Sequence, residues 1–123
     1  MGLLRRAAFW YYTRSVQNFA AGDVCSVKYE DRFSVAKILA VNGDVFHLRL
    51  YKEKFVIRPQ SVQIGALSLG SIDDPDGFGV GHVPLLGGTF GSWLPVRCQS
   101  DPVTDDELIW VIEWENSGGG VWS

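Results

Sequence analysis

Val45-Phe46-His47-Leu48-Arg49-Leu50-Tyr51 places apolar side chains at Phe46, Leu48 and Leu50, with His47, Arg49 and Tyr51 between them. A period of two is the mark of a strand, because successive side chains point to opposite faces of a sheet. One face is therefore expected in a core. The other is basic and aromatic, and His47 is expected to sit there in solvent. Just before this strand stands Asn42-Gly43-Asp44. Asn-Gly is a strong hairpin signal, since both residues tolerate positive φ. Further upstream, Val24–Tyr29 and Phe33–Val41 are rich in β-branched and aromatic residues, and Glu30-Asp31-Arg32 joins them. Downstream, Lys52-Glu53-Lys54 leads to Phe55–Arg58, and Pro59 closes the run. Residues 22–58 thus read as a β-meander.

The flanks read differently. Leu4, Ala8, Tyr12, Val16 and Phe19 recur at helical spacing, which predicts an amphipathic helix over residues 3–19, stopped by Gly22. Glycine then crowds the region from 60 to 100, at positions 65, 70, 77, 79, 81, 87, 88 and 91. That density fits loops and short strands, with one short helix at Thr89–Trp93. A second helix is predicted over residues 104–116. Thr104 and Glu107 have capping-box spacing, and Asp105, Asp106 and Glu107 suit the positive end of a helix dipole. Leu108, Val111 and Ile112 are its expected buried stripe, flanked by Trp110 and Trp114. The predicted fold class is α+β: a small twisted five-stranded, barrel-like core over residues 22–65 with N- and C-terminal helices and a Gly-rich insertion. Residues 1–21 form the N-terminal helix and residues 66–123 the Gly-rich segment and C-terminal helix. All 123 residues suit one domain.

Apolar residues make up 46% of the chain and charged residues 20%, values of a globular protein. The charges are unevenly placed. Residues 1–60 hold ten Lys/Arg against five Asp/Glu, and residues 61–123 hold one against nine. Such a split flags either a charged partner or internal pairing of the two halves. No apolar run is long enough to span a bilayer. No secretory cleavage pattern is present, and Arg6 stands where a myristoylation motif needs Ser or Thr. Cys25 and Cys98 are too few and too far apart for a disulfide framework or a zinc site, so a reduced, cytoplasmic protein is expected.

The stretch from Gly22-Asp23 through Tyr29, the turn Glu30-Asp31-Arg32, Phe33 and Ala36 resembles the opening of Tudor domains. The strand from Val45 with Tyr51 resembles their third strand. About 40 residues are covered. The resemblance implies a Src-homology-3-like barrel and an aromatic cage for methylated Lys or Arg, held by cation–π attraction. By position the cage would be Tyr29, Phe33, Tyr51 and Phe55. This chain departs from the family after the third strand, where Lys52 and Lys54 would repel a cationic ligand. The stretch Leu67–Leu85 resembles small bacterial proteins, and the Gly-Asp start is similar to that of some immunity proteins, which neutralise a toxin.

Few residues carry a pattern of known chemistry. With Gly77 at position 6 of a calcium loop, Ile72 and Val83 fall on the two essential ligand positions, so an EF-hand is excluded. Asp74-Pro75-Asp76-Gly77 reads instead as a β-turn. His82 could serve as a base with Asp74 or Asp76, which is the enzyme reading. No metal signature, phosphate loop or nucleophile motif occurs, and no cofactor is expected. A basic, aromatic face of Lys28, Arg32, Arg49, Lys52, Lys54 and Arg58 could bind nucleic acid. The sequence pI of about 5.2 counts against that. The leading expectation is a non-catalytic protein-binding protein of the immunity or accessory type. Its acids, Asp73, Asp74, Asp76, Asp101, Asp105 and Asp106, would face a basic partner, with Tyr29, Phe33, Tyr51, Phe55 and His82 as further candidate binding residues.

Overall fold

The computed structural model describes residues 18–71, 73–75, 77 and 79–121. The helix expected over residues 3–19 falls almost wholly outside them, as does Asp76. The described chain forms β1 (Asp23–Tyr29), β2 (Arg32–Asn42), β3 (Val45–Leu50), β4 (Val80–Leu86), α1 (Gly87–Ser92), β5 (Val96–Ser100) and α2 (Asp105–Asn116). A single 3-10 turn lies at Ile64–Ala66. The strands make one antiparallel sheet in the order β4-β3-β2-β1-β5. The five-stranded α+β architecture is thus present. Among the described residues β4 and β5 are the two edges and do not pair with each other, so the sheet is open rather than closed into a barrel. No helix among the described residues is long and apolar enough to cross a membrane.

The first two of the three predicted turns form hairpins. Tyr29 pairs with Arg32 and Asn42 with Val45. In the second hairpin only Gly43, at φ 59°, takes positive φ, so the turn centres on Gly43-Asp44, one residue later than Asn-Gly. Phe55–Arg58 is not a strand of the sheet. Phe55 makes one isolated bridge to Phe33, with N···O distances of 2.8 and 2.9 Å. The chain then turns away, leaving Val56 and Ile57 exposed. The fourth and fifth strands come from the glycine-rich region instead. Gly79 explains the first of them. It lies so close to the Leu50 carbonyl that any Cβ would collide with it, and β4 then pairs with β3 from Val80 onward.

The sheet has two covered faces. On one, Cys25, Val27, Ala36, Ile38, Phe46, Leu48, Val83 and Leu85 pack around Phe90 of α1. The Phe90 ring lies 5.2 Å from Phe46 and 5.7 Å from Phe19. Burying Phe90 fully contributes about 1.5–3 kcal/mol of transfer free energy. Cys25 lies in this core, and burial, reinforced by Asp23, pushes its thiol up to about 12. It is an inert thiol. On the other face, Val24, Val35 and Tyr51 form a smaller cluster under the 51–69 loop. Beside that cluster α2 crosses the sheet.

Candidate functional site

Three places in this fold gather chemistry: the polar layer under α2, the outer face of α2, and a cleft on the α1 side of the sheet.

The polar layer starts from Lys37, a lysine in the otherwise apolar run Val35-Ala36-Lys37-Ile38-Leu39. Lys37 is 1% exposed. Its ammonium donates to Asp101 Oδ2 at 2.6 Å, the Pro102 carbonyl at 2.9 Å and Glu107 Oε1 at 3.0 Å. A lysine has three N–H donors, and each has an acceptor here. Burial alone would push the Lys37 pKa down, but the Asp101 and Glu107 carboxylates outweigh it and hold the pKa above 10.5. Glu107 is also buried. It closes the capping box, accepting from Thr104 N at 2.9 Å while its own N–H donates to Thr104 Oγ1 at 3.3 Å. Arg49 Nη1 stands 3.6 Å from its other oxygen. Burial pushes Glu107 up, but the Thr104 N–H and Lys37 prevail and leave it below the ordinary carboxylate value. One carboxylate thus starts the helix and fastens it to the sheet.

At the far end of α2, Trp114 meets His47 edge-on, with centroids 4.5 Å apart. His47 is not solvated, as the strand pattern suggests; it is fully buried. Alternation shows that two faces differ, and here the polar face is roofed by α2. His47 Nδ1 lies 2.8 Å from His82 Nε2, in rings only 9° from parallel. Asn42 Nδ2 sits 3.2 Å from His47 Nε2 and 3.2 Å from Glu115 Oε1. The carboxylate requires the donor end of Asn42 there, so the same NH₂ donates to His47 Nε2. His47 therefore carries its proton on Nδ1 and donates to His82. Burial lowers both pKa values, with the His82 charge adding to the effect on His47 and Glu115 opposing it. His82 accordingly meets an imidazole. Asp74 goes elsewhere: its Oδ2 accepts from Ser71 N at 2.9 Å and Lys52 Nζ at 3.2 Å, in that order the causes of its lowered pKa. The expected turn is there, with Gly77 N donating to the Asp74 carbonyl at 3.2 Å.

Of the ring residues of the Tudor resemblance, Tyr29 and Tyr51 both line the cleft on the α1 side, while Phe33 and Phe55 form the isolated bridge. Tyr51, 6% exposed, packs with Val24 and Val35 on the α2 side, and Phe55 lies against the same cluster. Arg58 stacks 4.7 Å over Phe33 and spends Nη1 on Ser26 and the Leu94 carbonyl. Tyr29 points to the other face of the sheet, edge-on to Trp93 at 6.1 Å. The basic face is likewise dispersed, since Arg49, Lys52 and Arg58 all have internal partners.

The outer face of α2 carries Ile109 and Ile112 at 48% and 53% exposure, and the half-exposed Trp110 flanks it with its indole nitrogen beside Gly81 of β4. Ile112 was expected inside. Glu107, Val111 and Trp114 set the inward stripe instead, and the rotation this imposes turns Ile112 outward. Asp105, Asp106 and Glu113 are exposed around these residues, and α2 has no Lys or Arg. Asp73 is exposed in the 73–77 turn.

The cleft on the α1 side holds about 360 Å³. Val27, Leu50, Val80 and Val83 give it an aliphatic lining, Tyr29, Tyr51 and Trp93 an aromatic one, and Ser34 and Lys54 add a hydroxyl and an ammonium. Trp93 does not stand out in the sequence as a ligand residue, and Lys54 does so only as part of the basic face; the cleft exists only once β1, β2, β3 and β4 are assembled in one sheet.

Comparison with known proteins finds no matching family model, no similar curated protein and no similar solved structure.

Proposed function

We propose that this chain is a non-catalytic binding protein whose outer α2 face receives a protein partner with a basic, partly apolar surface. One observation carries the reading. Every ion pair among the described residues joins the basic half of the chain to the acidic half: Lys37–Asp101, Lys37–Glu107, Arg49–Glu107, Lys52–Asp74 and Asp23–Arg97. The acids left without such a partner among the described residues include Asp105, Asp106 and Glu113, and these surround Ile109 and Ile112 on the surface. Single exposed apolar residues are ordinary, but two isoleucines side by side on one helix, flanked by a half-exposed Trp110 and ringed by one sign of charge, suit an interface of apolar centre and charged rim. The acids would steer a basic partner and the isoleucines would hold it. An immunity-type or accessory role fits this surface. A methyl-ammonium reader fits less well, since Arg58 already occupies Phe33.

The test is a low-salt pull-down from the native host with the wild type and with the double variant Ile109→Lys/Glu113→Lys. A specific protein retained by the wild type and lost by the variant is the expected result. No specific protein, or equal capture by both, would contradict the proposal.

A further inference from the structure

We propose that the cleft between Trp93, Tyr29 and Lys54 binds a small organic anion: an aromatic or aliphatic body carrying one carboxylate. Its volume of about 360 Å³ lies in the span of small-molecule sites, roughly 300–1,000 Å³. It sits on the α1 face of the sheet, whereas the proposed partner surface belongs to α2 beyond the opposite face, so the two stand independently.

Three features set the ligand class. The lining of the cleft is largely aliphatic, with Val27 and Val83 scarcely exposed, and aromatic, so the body that enters is apolar. The charged lining residue is Lys54, and among the described residues no carboxylate lines the cleft. Lys54 Nζ donates to the Lys52 carbonyl at 3.2 Å, which leaves further N–H donors for a ligand. Ser34 is 7% exposed, lines the cleft from β2, and is engaged in no side-chain hydrogen bond within the described residues. A cationic ligand would meet the like charge of Lys54. A purely apolar one would cover Lys54 and Ser34 without giving them a partner, which costs free energy. A carboxylate gives Lys54 an opposite charge and offers the Ser34 or Tyr51 hydroxyl an acceptor, with its apolar body against Trp93.

The experiment is an NMR titration of the full chain with 4-phenylbutyrate, 4-phenylbutyramide and 4-phenylbutylamine, following the indole N–H signals. A Trp93→Phe variant assigns the Trp93 signal. The acid is expected to shift that signal saturably and to bind more tightly than the amide, with the amine weakest. In Lys54→Met, whose changed residue is exposed and outside the core, the acid should bind about threefold more weakly, the size expected of one exposed ion pair, and lose its advantage over the amide. An unshifted Trp93 signal, equal affinity for acid and amine, or an acid affinity unchanged in Lys54→Met would each overturn the proposal. So would shifts confined to Trp110 on α2.

Discussion

His47 and His82 show what burial does to a residue that a sequence presents as ordinary. Each imidazole is held below 6.5, His47 by burial and then by its neighbour's charge, His82 by burial. The groups around the pair are Asn42 from β2, Trp114 from α2 and, through Asn42, Glu115. A second proton on the pair would set two charged rings against each other and break the Asn42 bond. Because the folded pKa values lie below the unfolded one, the unfolded chain takes up protons first as the pH falls. The stabilising contribution is therefore complete above 6.5 and is lost as the pH drops through the lower folded values. In urea titrations at constant salt, the unfolding midpoint should fall between about pH 7 and about pH 5. The variant His82→Gln, whose side-chain oxygen can accept from His47, should show a shallower fall. An equal slope in both proteins would dissociate the pair from that pH dependence. The sequence shows both histidines but not their meeting, which depends on β3 and β4 being neighbours. Lys37 was legible in principle, since a charged residue inside Val35-Ala36-Lys37-Ile38-Leu39 must find partners if that strand is buried on both faces.

Among the elements, α2 is the one whose ends are written most plainly. Thr104 and Glu107 form the expected box, and Gly118, at φ 93°, follows the helix end. Thr104→Ala removes the N-cap oxygen and should cost about 1 kcal/mol of unfolding free energy, measured by urea denaturation. A cost near zero would mean that Lys37 alone fixes the helix start. What the helix pattern does not reveal is its rotation. An apolar stripe of Leu108, Val111 and Ile112 competes with a stripe containing Glu107, and the buried lysine across the interface decides for the second. β4 and β5 were visible only as short strands without bounds, because glycine close to a neighbouring backbone looks, in sequence, like glycine in a loop. The meander was clear because alternation and turn residues coincide there. Its expected last strand failed because Phe55 meets Phe33 at the very start of β2, so that, running antiparallel, Val56 and Ile57 pass beyond Arg32, where β2 has already turned into the first hairpin.

At the scale of the molecule, the uneven charge of the sequence is largely a description of how it folds. The basic meander and the acidic C-terminal half close on each other, and Lys37 stands at the centre of that closure with Asp101 and Glu107. Whether the ion pair is worth more than an apolar replacement is a separate matter, since buried pairs bear a large desolvation cost. Breaking it by halves is expensive, because the partner stays buried and charged. The internal pairing under α2 is also what separates the consumed acids from those left on its outer face. It is tested most directly by a double-mutant cycle of Lys37→Met and Glu107→Gln, with unfolding free energies measured by urea at neutral pH. The pairing predicts that each single variant is destabilised and that the two are coupled by about 1–3 kcal/mol, with the double variant less damaged than the sum of the singles. Additivity within about 0.3–0.5 kcal/mol would show that Lys37 and Glu107 act independently, and would contradict it.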